Sequence, residues 1–281
     1  MGEATQILKL SEFLRSPAGC YVLEWEQEQL DAAVADIFGY HALQLGLPEL
    51  DTLRENRMPL RFCAADRRLA LPSEAGGHDR VAVINRYEEL PFATHSIDLV
   101  VMPHILEFAS DPHQVLREVE RVLVPEGHVV ITGFNPTSLW GLRQSGTRLG
   151  ASPFLPLAGR FISLPRIKDW LKLLSFDFER GHFGCYAPPV GSPKWLRRWR
   201  FLERAGDRWW PVFGAVYLMT AVKRVQGMRL IGKVWERKEE SVRRLAPVGT
   251  ARTIVVTGES HSAVVFDPNE AANDIRHAAQ R

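Results

Sequence analysis

Apolar residues recur at helical spacing between Glu24 and Phe38, where Leu30, Val34 and Ile37 share one face and Gly39 supplies a stop. Upstream, Ser16-Pro17-Ala18-Gly19 reads as a turn that parts a short N-terminal helix from the main body. The pattern then changes to short apolar runs. His41 to Gly46 is a first buried strand, Leu60 to Ala64 a second that ends near Asp66, and Val81 to Ile84 a third. Ile97 to Met102 is an uninterrupted, β-branched fourth strand of the kind buried on both faces. Between the second and third strands, Arg67 to His78 is punctuated by Pro72, Gly76 and Gly77 and reads as loop.

Asp111-Pro112 opens a helix, with aspartate at the cap and proline at the first helical position. Val115, Leu116, Val119, Val122 and Leu123 form its apolar face; Pro125-Glu126-Gly127 turns the chain into a fifth strand, His128 to Thr132. Beyond Phe134 the spacing predicts a helix over Leu164 to Leu174, a strand over Phe176 to Phe183, a helix within Lys194 to Arg208 and a last strand over Ala215 to Val222. Strands alternating with helices imply an α/β fold with a Rossmann-like, doubly wound, mostly parallel sheet. The expected organisation is an N-terminal extension over 1–23, the α/β domain over 24–224, and a basic, then polar tail over 225–281. From Pro247 to Arg281 no period survives, so that tail is expected to be disordered.

Composition narrows the class without deciding it. The chain has 281 residues, of which 46% are hydrophobic, enough for a large core. A formal net charge of +2 does not mark a dedicated nucleic-acid binder. Cys20, Cys63 and Cys185 are far apart and form no metal-binding pair, so reduced thiols and no metal are expected. No apolar run reaches bilayer length, and Met1 to Leu14 lacks the basic start and apolar centre of a signal peptide. A cytoplasmic location is therefore expected.

Glu88-Glu89-Leu90-Pro91-Phe92, followed by Ile97-Asp98-Leu99-Val100-Val101, resembles a signature of class I S-adenosylmethionine-dependent methyltransferases. His104-Ile105-Leu106-Glu107-Phe108, Asp111-Pro112, the run Leu116 to Leu123 and Pro125-Glu126-Gly127 continue the resemblance in order. Gly133-Phe134-Asn135-Pro136 with Ser138 to Arg143 is similar to a bacterial branch of that family. The resemblance is strongest over Glu88 to Phe134 and extends loosely over Glu24 to Arg224. It implies a class I methyltransferase fold with S-adenosylmethionine as cofactor, lying over the carboxyl ends of the strands.

The resemblance also assigns residues. The glycine-rich loop after the first strand falls on Gln44-Leu45-Gly46-Leu47-Pro48-Glu49-Leu50. Gly46 is kept, Gln44 stands where the family has an acid, and Pro48 and Leu50 stand where it has glycines; Pro48 also brings no N–H to the loop. Gln44, Gly46 and Leu47 are thus expected beside the methionine end of the cofactor. Asp66, about twenty residues on, is expected at the ribose hydroxyls. The adenine amino group falls to Asn85 and Glu88, because Arg86, at the family's aspartate position, has no acceptor to offer.

Methyl transfer by in-line displacement needs alignment and sometimes removal of a proton. His104, after the fourth strand, is the first candidate for a polar residue near the reacting methyl, against a purely positional reading that still touches the cofactor. Asn135 is the second candidate, a substrate-orienting amide walled by Phe134 and Trp140, against an ordinary turn asparagine before proline. Arg143 reads as an exposed helix arginine, and Asp111 as a cap.

Lys194 to Arg208 holds six basic residues against two acidic ones, a net +4, with Trp195 and Trp199 one helical turn apart and Trp209-Trp210 following. Three readings stay open: a helix lying on an anionic membrane, an RNA contact with stacking aromatics, or a crossover helix that packs its tryptophans on the sheet. The last is preferred, since amphipathic helices of soluble domains usually face their own core. Lys223 to Arg244 is also basic, eight against three, and reads as a solvated linker. The function expected is a methyltransferase acting on a small or lipid-like acceptor. The alternative is an inactive methyltransferase fold that meets a membrane, RNA or protein partner through its basic, aromatic C-terminal segment.

Overall fold

The computed structural model describes residues 10–65, 81–84, 86–146, 155, 161–199 and 201–225. Asp66, Asn85, the loop 67–78 and the expected tail from 226 onward lie outside the described residues.

Helix α1, Pro17–Val34, begins earlier than its apolar spacing predicts. Ser16 is its N-cap, with its side chain accepting from the Gly19 N–H, and Pro17 takes the first helical position. Residues 10–14 are helical and the chain turns at Arg15 and Ser16, so this point parts a short N-terminal helix from α1 as expected. Pro17, Ala18 and Gly19 belong to α1 itself, and the expected boundary at 23/24 falls inside it. The buried line of the helix is Val22, Glu26, Leu30 and Val34, a carboxylate set among three aliphatic side chains.

Seven strands form one sheet: β1 His41–Leu45, β2 Leu60–Ala65, β3 Val81–Ile84, β4 Ile97–Pro103, β5 Leu123–Phe134, β6 Phe176–Gly184 and β7 Val216–Lys223. Their order is β3-β2-β1-β4-β5-β7-β6. The first five run parallel, and β7 is antiparallel to both of its neighbours. β4 and β7 are almost wholly buried, as continuous apolar strands of a covered sheet must be. The order reverses between β1 and β4, which makes the carboxyl ends of these strands the ligand side.

Between β4 and β5 come the short helix α2, Ile105–Phe108, and α3, Pro112–Val122. α3 buries Val115, Leu116, Val119 and Val122, and Asp111 caps it by accepting from the His113 and Gln114 N–H groups. Replacing Asp111 by alanine is expected to cost about 1 kcal/mol. In a thermal melt this lowers the midpoint by about 2–4 °C; an unchanged midpoint would remove the cap from the stability of α3. After β5 follow α4, Leu139–Ser145, and α5, Leu164–Leu173, before β6.

One crossover is unusual. Parallel neighbours β1 and β2 are normally joined through a helix, yet residues 46–59 form only turns. This coil is fastened to α1 instead. Asn56 donates to the Val34 and Ile37 carbonyls, Gln27 donates to the Asp51 carbonyl, and Arg54 pairs with Asp31.

The segment that carries the resemblance, Leu90 to Phe92, is tied to α3 by one arginine. Arg121 donates to the Leu90 and Phe92 carbonyls and to Glu118, while Glu118 accepts from the Leu90 N–H.

Candidate functional site

At the carboxyl end of β1, Gly46 and Leu47 both take left-handed backbone, φ 69° and 39°. The first suits glycine; the second is a strained setting for leucine. Together they accompany a loop whose carbonyls converge on Gln44. The Gln44 amide donates to the carbonyls of Gly46, Leu47 and Leu50 at 2.8–3.1 Å. Its oxygen accepts from the Thr52 N–H and hydroxyl at 3.2 and 2.8 Å. Gln44 is buried, and both ends of its amide are occupied by its own loop.

Those contacts bear on the cofactor that the resemblance implies. In the family the residue at this position is an acid and the loop is open above its glycines. Here Gln44 brings no negative charge. A Cβ built on Gly46 would lie 2.3 Å from Ile105 Cδ1 and 3.0 Å from Tyr87 Oη, so those side chains stand over the glycine. Leu47 and Leu50 are buried, and no helix follows the loop to offer its N-terminal N–H groups. The described residues therefore do not fit the methionine end of S-adenosylmethionine in the way the family holds it. Glu88, expected at the adenine, accepts from the Ser110 hydroxyl at 3.1 Å.

His104 follows β4 with φ 54° and is fully buried. Its Nδ1 lies 2.9 Å from Glu107 Oε2 and its Nε2 2.8 Å from Glu26 Oε1. Glu107 also accepts from the Phe134 N–H. Among the described residues, neither Glu26 oxygen has an aligned hydrogen-bond donor, so the short Glu26 contact is a charge pairing with His104. Burial alone would pull the imidazole pKa down; the attraction of Glu26 and Glu107 outweighs it and pushes the value up to about 10. Burial raises the Glu107 carboxyl, against the opposing pull of His104 and the Phe134 N–H. The imidazole ring lies 4.4 Å from that of Phe134. In this arrangement both ring nitrogens are committed inside the protein.

Asn135 is likewise committed. Its Nδ2 donates to the Val212 and Gly214 carbonyls at 2.7 and 2.9 Å, and its Oδ1 accepts from the Thr137 N–H and hydroxyl. It ties the end of β5 to the turn that precedes β7. Phe134 and Trp140 are both buried. Trp140 donates its indole N–H to the Ala187 carbonyl. Arg143 reaches the Pro189 carbonyl.

The structure thus gathers Gln44, Gly46, Leu47, His104 and Asn135 at the carboxyl ends of β1, β4 and β5. It also adds Glu26 and Thr52, which sequence reasoning did not single out. The signal for Glu26 was present: a carboxylate in the fourth-residue repeat Val22, Glu26, Leu30, Val34. Thr52 had none, since its role depends on how the loop turns back. Among the described residues no group of His, Cys, Asp and Glu is arranged to hold a metal ion. No described helix is long and apolar enough to cross a membrane.

The strand order, with its antiparallel β7, is that of the class I methyltransferase fold. Residues 62–131 match the family described as "Methyltransferase domain". The chain therefore has the class I methyltransferase fold, and residues 62–131 are similar to that domain family. It is 33% identical over 151 residues to the uncharacterized protein YafS of Escherichia coli K12, covering 54% of this chain and 58% of that protein. It is 35% identical over 102 residues to the malonyl-[acyl-carrier protein] O-methyltransferase of Methylovorus, covering 35% of this chain and 32% of that protein. The chain therefore spans little more than half, or less, of the length of these relatives. Among solved structures, a chain from the complex of the Haloferax volcanii Trm112 methyltransferase activator shares the fold. Its TM-score is 0.55 at 14% identity, over 79% of this chain and 99% of that one.

Proposed function

We propose that the chain is an S-adenosylmethionine-dependent methyltransferase acting on a small or lipid-like acceptor. The observation that supports this reading best is the match of residues 62–131 to the methyltransferase domain, within a sheet of class I strand order. The relative named malonyl-[acyl-carrier protein] O-methyltransferase acts on a carrier-bound acyl group, which lends support to a lipid-like acceptor. In this reading Asp66 meets the ribose, Asn85 and Glu88 the adenine, and Gly46 and Leu47 floor the methionine side. His104 and Asn135 shape the acceptor end from behind, as positioning residues. Because the Gln44 amide is spent on its own loop, the cofactor is held mainly from its adenosine side.

Calorimetric titration tests this directly. S-adenosylmethionine and S-adenosylhomocysteine are expected to bind at about micromolar strength, and methylthioadenosine, which lacks the amino-acid end, within about ten-fold of them. An Asp66→Ala variant is expected to lose all three. No heat from a folded sample with any of these ligands sinks the enzyme reading. It would leave the second one, favoured by the acid-free Gln44 loop: an inactive methyltransferase fold that engages a partner through its basic, aromatic C-terminal segment.

A further inference from the structure

The stretch between β6 and β7 stands at the ligand end of the sheet. In the strand register Phe134 pairs with Val216, and Val216 with Gly184. Residues 185–215 therefore leave and re-enter the sheet level with the carboxyl end of β5. They contain helix α6, Pro193–Arg198, helix α7, Phe201–Trp209, and a 3-10 turn, Pro211–Phe213.

The expected packing of the tryptophans on the sheet is only partly realised. The inner face of this stretch is made by Leu196, Trp199, Glu203 and Gly206. Leu196 is buried and Trp199 packs on the core. Glu203 accepts from the Cys185 and Tyr186 N–H groups and from the Tyr21 hydroxyl. Gly206 abuts the Tyr186 ring so closely that a Cβ would lie 2.3 Å from it. With those positions spent inward, the large aromatics turn out. Trp195, Phe201, Trp209, Trp210, Val212 and Phe213 are 48–73% exposed. Soluble domains rarely leave so many large apolar side chains together in water.

The exposed charge of the stretch is mostly positive. Lys194, Arg198 and Arg208 are exposed, and the Arg198 guanidinium lies 5.7 Å from the Trp195 ring centre. Arg197, Arg200 and Arg204 fall in the same stretch of sequence. Of its two acids, Glu203 is engaged inward and only Asp207 is exposed. On α4, which is joined to this stretch by the Trp140 and Arg143 contacts, Leu139 and Leu142 are exposed as well.

We infer that this face docks on an anionic lipid bilayer. Tryptophan, phenylalanine and aliphatic side chains beside lysine and arginine suit the boundary between headgroup and acyl chain. The basic side chains meet the negative surface, each contributing about a five-fold gain in partition. A single-stranded RNA would use the rings and the basic side chains. It gives no role to Val212, Leu139 and Leu142, which have no π face to offer a base. The docking face borders the carboxyl ends of the strands, so an acceptor carried in the membrane would arrive at the ligand side of the sheet.

Sedimentation of the full chain with lipid vesicles tests the inference without any cofactor, so its outcome is separable from that of the ligand titration. The chain is expected to pellet with vesicles of phosphatidylcholine containing about one third phosphatidylglycerol and to stay in solution with phosphatidylcholine alone. Added salt should release it. Exchanging Lys194 and Arg198 together for glutamine is expected to weaken partition about thirty-fold. Exchanging Trp209 and Phe213 for serine should weaken it at least ten-fold, with an unchanged circular dichroism spectrum. Three results would overturn the inference: no pelleting at low salt, pelleting unaltered in both double variants, or single-stranded RNA displacing the vesicles. Loss of pelleting together with a dimer that Trp209→Ser dissociates would assign the face to a second copy of the chain, and equally overturn it.

Discussion

Replacing His104 by alanine is expected to destabilise the protein by about 3–5 kcal/mol, since it leaves buried carboxylates facing no cation. Glu26 and Glu107 both depend on that one imidazole, and all three side chains are almost or wholly excluded from water. For a domain of this size the melting midpoint should fall by about 10 °C. A drop of under about 1 kcal/mol would show that water or a shifted helix already serves Glu26. The same cluster predicts a pH dependence. In the unfolded chain the imidazole titrates near its ordinary 6.5, and in the folded protein at about 10. Stabilisation by protonated His104 is therefore complete below about pH 6.5 and is lost as pH rises through about 10. Glu107 acts in the same sense: its raised pKa also favours the folded state at the protonated end. A Glu26→Gln variant keeps the shape of the side chain but removes one of the attracting charges, so its alkaline loss should begin at lower pH. Melting curves across this range measure both effects.

The second large effect is expected at Gln44. Gln44→Leu removes the side-chain partner of the converging Gly46, Leu47 and Leu50 carbonyls and of the Thr52 donors. Backbone bonds from the Leu50 and Thr52 N–H groups still serve the Leu47 and Leu50 carbonyls, so the cost of about 1–3 kcal/mol per unpaired group falls mainly on the Gly46 carbonyl and the Thr52 hydroxyl. Allowing for relaxation of the loop, a total loss of about 2–4 kcal/mol is expected in urea unfolding. Gln44→Glu is the more telling variant. It restores the kind of acid that the methyltransferase family has at this position, yet its carboxylate would face three carbonyl oxygens with no hydrogen to give. It should therefore destabilise the loop without improving affinity for S-adenosylmethionine. A Gln44→Glu protein as stable as the parent, with tighter cofactor binding, would show that the loop can reopen into the family's form. It would also refute the view that Gln44 is committed to the fold.

β4 was legible because it is buried on both faces, and such a strand writes itself as an unbroken β-branched run. Ile97 to Met102 and Val81 to Ile84 are read from residues alone to within a position of their observed ends. Asp111-Pro112 was legible for a different reason: a cap and a first-turn proline are local chemistry. Ser16-Pro17 carries the same signal: the turn lies at Arg15 and Ser16, and the helix it opens takes in Pro17 to Gly19, where the apolar spacing is not yet regular. The candidate site was less legible. Gln44, Gly46, His104 and Asn135 were placed at the correct end of the sheet by the order of the motifs, but their bonding partners come from elsewhere. Glu26 meets His104 across 78 positions of sequence, and Asn135 meets Val212 and Gly214 across a comparable span.

By itself, then, the sequence determined the class of fold, the strand runs, the capped helix before β5 and the family resemblance, all of which rest on short-range periodicity or motif order. Only the tertiary structure decided that the polar residues of the site are bonded within the protein, and that the tryptophans of the last crossover divide between core and solvent. The physical reason is that periodicity reports that a side chain is apolar or polar, whereas its facing depends on which competing group claims the inner position. In the stretch before β7 those positions went to Leu196, Trp199, Glu203 and Gly206, and the remaining aromatics were left at the surface.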